Sequence, residues 1–147
     1  MDSDVAEYLR QLRMKVTPKR LAIIDILKKE SGYLSPEEIW RRMKKRFARI
    51  GLPTVYRNLE ELANGKVIYR ITHPNRQLYY FYCGNSVHHH HFVCVACRAV
   101  NDIEYCAIGD LQEEVRRKLS GRVVSHLLQV NGLCRNCLKK NYKGTWR

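Results

Sequence analysis

Two Cys-x-x-Cys pairs limit what this chain can fold into more than any other feature of its sequence. The pairs are Cys94-x-x-Cys97 and Cys134-x-x-Cys137. Four thiolates from two such pairs suit a closed tetrahedral zinc site, which leaves no position open for a substrate. Redox chemistry or unligated thiols are the alternative interpretation of the same cysteines. We predict that the four cysteines bind a structural Zn2+ ion, which would fasten the late part of the chain to the strand that carries the first pair.

A run of four histidines directly precedes the first pair, in the stretch HHHHFVCVAC that begins at His88. The run is internal and continues into apolar residues, so it does not have the pattern of a purification tag. Side chains alternate between the two faces of a strand, so His88 and His90 would share one face while His89 and His91 share the other. One strand could therefore serve two metal sites, or one metal site and a set of hydrogen bonds.

Other residues that could bind a metal together with these histidines are Cys83, Asp102, Asp110 and His126. His126 could equally be a core histidine whose ring nitrogens are hydrogen-bonded. Asp110 could cap a helix and serve as a metal ligand only secondarily. Catalytic patterns are missing, because the sequence has no His-Glu-x-x-His, no glycine-rich phosphate loop and no Gly-x-Ser-x-Gly elbow. We therefore expect a metal-binding protein that is not an enzyme and has no small-molecule substrate.

The charge of the chain indicates a polyanionic partner. Lys and Arg total 27 against 14 acidic residues, for a formal net charge of +13. This surplus favours nucleic acid first and an anionic membrane surface second, with a merely solvated basic surface as the alternative. No stretch approaches the roughly 20 apolar residues of a membrane span, and the N-terminus lacks a signal-peptide pattern. We expect a cytoplasmic protein without a membrane partner.

The first half of the sequence has the period of helices. Thr17-Pro18 and Ser35-Pro36 each place a capping residue before a proline at the first helical position, and Glu38 completes a capping box with Ser35. A further helix is expected over residues 53–64. The segments KVIYRI and QLYYFY then predict two strands joined by a turn. Helices followed by a short hairpin in a basic chain indicate a winged helix-turn-helix, in which helix 53–64 enters the major groove of DNA.

The second half predicts strands at HHHHFVCVAC, RAVNDIEY and VVSHLLQVNGLC, with one amphipathic helix, DLQEEVRRKLS, whose Leu111, Val115 and Leu119 face inward. The stretch GNSV between the halves is small and polar, as expected of a hinge. The fold class is therefore α+β. The predicted parts are a winged-helix DNA-binding domain at 1–83, a hinge at 84–87, and a small α/β metal-binding domain at 88–147.

Several of these stretches together resemble the ferric uptake regulator (Fur) family: KVTPKRLAIIDIL, LPTVYRNLEEL, HHHHFVCVAC, and a Ser-His pair upstream of CRNC. The similarity runs from about Tyr8 to Cys137. It implies a metal-dependent repressor that binds double-stranded operator DNA as a homodimer when a sensory site is filled, with residues 88–147 as the dimerisation and metal-binding domain. Tyr56 and Arg57 would read DNA, whereas an ordinary exposed helix face is the alternative. With expected phosphate contacts included, the predicted DNA-binding residues are Lys15, Arg20, Thr54, Tyr56 and Arg57.

The resemblance also assigns the metal sites. The paired cysteines match the family's structural zinc site, and the family's sensory sites use the positions of His89 and His91 with a carboxylate at Asp102. Zinc-sensing members add a cysteine near Cys83, whereas iron and peroxide sensors usually add a histidine where this chain has Tyr33. Thiolate with imidazole suits zinc better than ferrous iron. We predict zinc-responsive control of metal uptake genes, with Fe2+ or Mn2+ as the alternative ions.

A second regulatory metal site is expected on the face of the histidine run that carries His88 and His90. Its predicted ligands are His88, His90, His126 and Asp110. Gly109 stands where the family usually has an acidic residue, and Asp110 is adjacent. Three alternatives remain open at this point. They are an iron- or peroxide-responsive regulator of the same family, a zinc-ribbon nucleic-acid-binding protein without sensing, and a zinc enzyme with an open three-ligand site.

Overall fold

The computed structural model describes residues 2–142, and the chain divides into two compact units. The first unit ends at Gly84 and the second begins at Asn85, which is within the stretch predicted to be a hinge. The last five residues of the predicted second domain, 143–147, lie outside the described residues. No helix among residues 2–142 combines the length and hydrophobicity needed to cross a bilayer.

The first unit consists of four helices followed by a hairpin, which is the element order of a winged helix. Its elements are α1 (Asp2–Gln11), α2 (Pro18–Lys28), α3 (Pro36–Met43), α4 (Leu52–Asn64), β1 (Tyr69–Thr72) and β2 (Leu78–Phe81). The predicted caps are confirmed: Thr17 Oγ1 accepts the Arg20 N–H at 3.3 Å, and Ser35 and Glu38 make both hydrogen bonds of a capping box. The strands β1 and β2 pair antiparallel, from Tyr69 opposite Phe81 to Thr72 opposite Leu78.

The core of this unit fixes which face of α4 is left at the surface. Val55, Leu59 and Leu62 of α4 are fully buried, and they pack in one cluster with residues of α1, α2 and α3. Burial of each such side chain stabilises the fold by about 1.5–3 kcal/mol. Tyr80 of β2 is also buried in the cluster, and its hydroxyl donates to Glu60 Oε1 at 2.7 Å. The opposite face of α4, which includes Arg57, is consequently exposed.

The second unit is a three-stranded sheet with two helices: β3 (His90–Cys94), β4 (Val100–Ile103), α5 (Ile108–Leu119), β5 (Gln129–Gly132) and α6 (Arg135–Lys139). β3 is the central strand, antiparallel to β4 and parallel to β5. The antiparallel register places His91 opposite Asp102. The parallel register places Cys94 opposite Gly132, two positions before the second cysteine pair begins. The central strand therefore brings together residues that are far apart in the sequence.

Two expectations for this unit are wrong. The predicted strand VVSHLLQVNGLC is a strand only at Gln129–Gly132, and residues 121–128 have no regular secondary structure. The predicted inward face of α5 is not covered within the described chain, because Leu111 is 54% exposed and Leu119 is 73% exposed. Helical periodicity shows that an apolar face exists, but it does not show what covers that face.

Candidate metal sites and nucleic-acid interface

The first metal-binding group consists of the four paired cysteines, whose Sγ atoms all lie within 4.8 Å of one another. Cys94 ends β3 and Cys134 immediately precedes α6, so the pairing of β3 with β5 brings the two pairs together. The turn after Cys94 closes when the Arg98 N–H donates to the Cys94 carbonyl at 3.0 Å, with Arg98 at a φ of 69°. The sulfur atoms of Cys97 and Cys134 are 3.7 Å apart. Two sulfur ligands of tetrahedral zinc lie about 3.8 Å apart, so the donor set fits this ion.

The backbone around these cysteines favours a thiolate. Burial opposes ionisation of Cys94, but N–H groups of Cys97, Cys134 and Ala96 outweigh it and lower the pKa of Cys94 to about 6. One of these bonds runs from the Cys134 N–H to Cys94 Sγ at 3.3 Å. Burial and the neighbouring thiols raise the pKa of Cys137 to about 12. A divalent cation supplies the positive charge that allows all four thiols to ionise.

The second group lies on the face of the histidine run that carries His89 and His91, where these two side chains meet Asp102. The Nε2 atoms of His89 and His91 are 2.8 Å apart. Asp102 Oδ1 is 3.6 Å from the first of these nitrogens and 3.8 Å from the second. Two imidazole nitrogens on one zinc ion would lie about 3.4 Å apart. The donor atoms therefore fit a metal after the rings separate by roughly half an ångström.

Neighbouring groups orient these ligands. His89 Nδ1 donates to the Val87 carbonyl at 2.6 Å, which leaves its Nε2 as the metal-binding nitrogen. Asn85 Nδ2 donates to Asp102 Oδ2 at 2.7 Å and leaves Oδ1 directed toward the histidines. Burial and the adjacent charge of His89 lower the pKa of His91, which favours the neutral imidazole that binds metals. Such outer contacts fix ring and carboxylate orientation in metal sites.

Cys83, the fourth ligand that the sequence predicts for this group, belongs to the first unit. It follows β2 and is half-buried. Its role as a ligand stays a prediction.

The third group contains the three histidines predicted for the second regulatory metal site, but its fourth member differs from the prediction. His88, His90 and His126 gather with Cys106, and the four ligand atoms lie within 4.8 Å of one another. Asp110 is outside this group, because α5 begins at Ile108 and places Asp110, exposed, in its first turn. Cys106 was not among the ligands predicted from the sequence. The available signal was a thiol three residues after the end of β4, a strand that pairs with the histidine strand.

The predicted DNA-contacting residues fall on different surfaces of the first unit. Arg57 and Lys15 are exposed, whereas Thr54 and Tyr56 are half-buried. The Tyr56 hydroxyl donates to Glu37 Oε1 at 2.8 Å, and burial together with this bond raises the pKa of Tyr56. Tyr56 is thus held in place by α3, and Arg57 extends from α4 toward solvent.

Arg20 does not lie where a phosphate contact would require. Its residue surface is only 8% exposed. Its guanidinium is paired with the Glu61 carboxylate, and it donates to Asn58 Oδ1 at 3.4 Å and to the Lys15 carbonyl at 2.9 Å. Arg20 therefore braces α2 against α4. The sequence shows several basic residues near the start of α2, but it does not show which of their side chains is buried in the fold.

The two carboxylates in the middle of α4 are both paired with arginines. Glu61 pairs with Arg20, and Glu60 lies 2.9 Å from Arg70 of β1. Hydrogen bonds from Arg70 and Tyr80 lower the pKa of Glu60. These pairs offset the negative charge of α4, which would otherwise repel a polyanion approaching this helix.

We expect Arg20→Ala to lower the free energy of unfolding of the first unit by about 1–2 kcal/mol. Hydrogen bonds to charged groups contribute about 1.5–3 kcal/mol, and solvent around the half-exposed Glu61 reduces that value. Urea denaturation measures the change. Lys19→Ala removes an exposed cation from the adjacent position of α2 and should leave stability within about 0.5 kcal/mol. Equal midpoints for the two variants would contradict the bracing role.

Taken together, the two units define a winged-helix protein whose second unit carries cysteine- and histidine-rich metal-binding groups. The model of the Ferric uptake regulator family matches residues 11–131. The chain therefore belongs to the ferric uptake regulator family, whose members are metal-responsive transcriptional regulators.

Individual relatives agree with this assignment. The ferric uptake regulation protein of Bacillus subtilis (strain 168) is 33% identical over 136 residues, which cover 90% of this chain and 91% of that protein. The crystal structure of the Vibrio cholerae ferric uptake regulator superposes with a TM-score of 0.61 at 28% identity, covering 88% and 98% of the two chains. A zinc uptake regulator complexed with zinc and DNA has a TM-score of 0.77 at 20% identity, covering 95% and 93%, a similarity that concerns the fold.

Proposed function

We propose that this chain is a metal-dependent transcriptional repressor that binds operator DNA as a homodimer when its sensory site is filled, and that the sensed ion is zinc. The observation that carries the proposal is the arrangement of His89, His91 and Asp102, whose donor atoms converge in a chain that also has a winged helix. A protein that only used zinc for folding would have no need of a second oriented set of ligands.

The winged helix supports the DNA-binding part of the proposal. Arg57 is exposed on α4, Tyr56 is held against α3, and the acidic residues Glu60 and Glu61 are paired with arginines. We assign base contacts to Tyr56 and Arg57, with Thr54 beside them, and a phosphate contact to Lys15. The net charge of +13 supplies the attraction to the DNA backbone.

The donor set supports the choice of zinc. We propose Cys83 as the fourth ligand beside His89, His91 and Asp102, because a thiolate with imidazoles suits zinc better than Fe2+ or Mn2+. Bound there, the ion would supply fixed bonds that order the segments carrying its ligands. If Cys83 is not a ligand, the remaining imidazoles and carboxylate equally suit Fe2+ or Mn2+, and an iron- or peroxide-responsive regulator is the alternative.

Exposed apolar side chains of the second unit support the homodimer. Leu111 and Leu119 of α5, and Val124 and Leu127 of the segment before β5, are all more than half exposed. Monomeric proteins rarely leave such a set uncovered, and a second copy of the same chain is the commonest partner of a regulator of this size. We propose that this surface is covered in the dimer.

The proposal is tested by gel shift on the DNA upstream of the gene for this chain. Protein with its structural zinc in place is titrated with Zn2+, Fe2+ and Mn2+ under reducing conditions. We expect Zn2+ to tighten binding most, and we expect affinity to fall steeply with salt. Binding that is indifferent to all three ions would support the zinc-ribbon alternative, a nucleic-acid-binding protein without sensing.

In the same assay, Arg57→Ala should weaken operator binding by about tenfold to a hundredfold, as expected for loss of a base contact. Arg122→Ala, at an exposed position of the second unit, changes the net charge equally and serves as the control. The control should change affinity by no more than about twofold to threefold. Comparable affinities for the two variants would mean that α4 does not read DNA.

A further inference from the structure

The third group, on the face of the histidine run that carries His88 and His90, contains a cysteine that the sequence did not predict as a ligand. We infer that His88, His90, His126 and Cys106 form a closed metal site with three imidazoles and one thiolate, and that this site takes a thiophilic divalent ion such as Zn2+ in preference to Fe2+ or Mn2+. The inference concerns metal binding only and does not depend on whether the chain binds DNA.

The spacing of the donor atoms is the first argument. His90 Nε2 and His126 Nε2 are 3.4 Å apart, and Cys106 Sγ is 3.4 Å from the same His126 nitrogen. In a tetrahedral zinc site, two nitrogen ligands lie about 3.4 Å apart and a nitrogen and a sulfur about 3.6 Å apart. The ring centres of His88 lie 4.8 Å from His90 and 5.1 Å from His126, so the third imidazole completes the cluster. The His90–His126 and Cys106–His126 pairs are therefore at separations close to those of metal ligands, and the His88 ligand atom lies within 4.8 Å of the other three.

A hydrogen-bonded histidine cluster explains the same distances less well. Hydrogen bonds from an N–H donor to an oxygen acceptor are about 2.7–3.2 Å long, and the nitrogen–nitrogen contact between His90 and His126 is longer, at 3.4 Å. Both Cys106 and His90 also approach one atom, His126 Nε2, although a neutral ring nitrogen offers either one proton or one lone pair. A cation at the centre of the group resolves this competition, because each donor atom then directs its own lone pair at the ion.

The chemistry of the donors decides the preferred ion. A carboxylate at this position would suit hard ions such as Mn2+, whereas thiolate with imidazole favours zinc. Four protein ligands also close the site, which suits a structural or regulatory role and not catalysis. Cys106 is half-buried and His90 is buried, so the ion would be shielded from solvent on at least these sides.

The position of the ligands shows what the ion would hold together. His90 lies in the central strand, Cys106 lies between β4 and α5, and His126 lies in residues 121–128, which have no regular secondary structure. A bound ion would therefore fasten this irregular segment to the sheet. Because the segment carries the exposed Val124 and Leu127, occupancy would also fix the position of that apolar surface.

The test compares Cys106→Ser with Asp110→Asn in full-length protein that also carries His89→Ala, so that the second group cannot contribute. Bound zinc is counted after gel filtration, and Co2+ is the spectroscopic probe of a thiolate bond. We expect Cys106→Ser to lose one zinc per chain, with affinity reduced more than about 100-fold, the upper end of what loss of an outer contact costs. Asp110→Asn should keep both the zinc and the Co2+ spectrum.

Two further measurements test the same site if Cys106→Ser folds poorly. Cys106→Asp supplies a hard ligand and should shift the preference from Zn2+ toward Mn2+. In protein with Cys106 present, Zn2+ should slow hydrogen exchange in residues 121–128, and His126→Ala should remove this protection. Parental zinc content in Cys106→Ser, or loss of one zinc in Asp110→Asn, overturns the inference, as does unchanged exchange in 121–128 on addition of Zn2+.

Discussion

Cys137→Ser is expected to remove one zinc ion per chain and to abolish cooperative unfolding of the second unit. Cys137 is buried in α6, and its sulfur belongs to the group that joins α6 to the end of β3. Structural zinc contributes roughly 10–16 kcal/mol of binding free energy in zinc-finger peptides, which is comparable with the entire stability of a typical domain, about 5–15 kcal/mol. The small sheet of this unit cannot replace so large a contribution.

Zinc content and calorimetric unfolding, measured on the same preparations, test this expectation. Cys83→Ser makes the same chemical change outside the four-cysteine group and should keep this zinc and the unfolding transition of the second unit. A Cys137→Ser protein with parental zinc content and an unchanged melting curve would show that the four cysteines are not a structural metal site.

His89→Ala is expected to abolish the effect of zinc on operator binding while leaving the fold intact. The variant removes one of two imidazoles whose nitrogens converge beside Asp102. Typical couplings between two sites change affinity by about 5-fold to 150-fold, and the effect is reciprocal, so operator DNA should tighten zinc by the same factor in the parent protein. In the variant both factors should fall to about one.

The matched control for this experiment is His88→Ala, which makes the same change one residue earlier but on the opposite face of the run. His88 belongs to the group with Cys106, so this variant should reduce the response of DNA binding to zinc less than His89→Ala does. Fluorescence anisotropy with labelled operator DNA, with and without zinc, measures both variants. A parental zinc response in His89→Ala would remove this histidine from the sensory site.

The sequence predicted those features that depend on local order along the chain. Thr17 and Ser35 marked helix starts because capping requires a particular side chain at a particular offset. The alternation of strand side chains separated His88 and His90 from His89 and His91, and the structure places the two pairs in different groups. These predictions need no knowledge of what packs against the element.

Features that depend on distant partners could not be predicted in this way. Arg20 turned inward because Glu61 and Asn58 of another helix accept its hydrogen bonds. Cys106 lies in the third group because β4 ends at Ile103 and brings the following residues close to the histidine strand. Asp110 was predicted instead because it is adjacent to Gly109 in the sequence. The apolar face of α5 resembles a core face in its periodicity, and only the structure shows that Leu111 and Leu119 of this face remain more than half exposed among the described residues.

The parallel pairing of β3 with β5 also determines when, during synthesis, the four cysteines can first bind a metal ion together. The helices and hairpin of the first unit come from one continuous early part of the sequence and share one core, so this unit can fold before the second unit is complete. Cys94 and Cys97 are made well before Cys134 and Cys137, because α5 and residues 121–128 lie between them. Until the second pair appears, the nascent chain offers histidines and two thiols as an incomplete, accessible set of ligands. Ions that bind nitrogen and sulfur most tightly, copper above zinc, are the competitors in that interval.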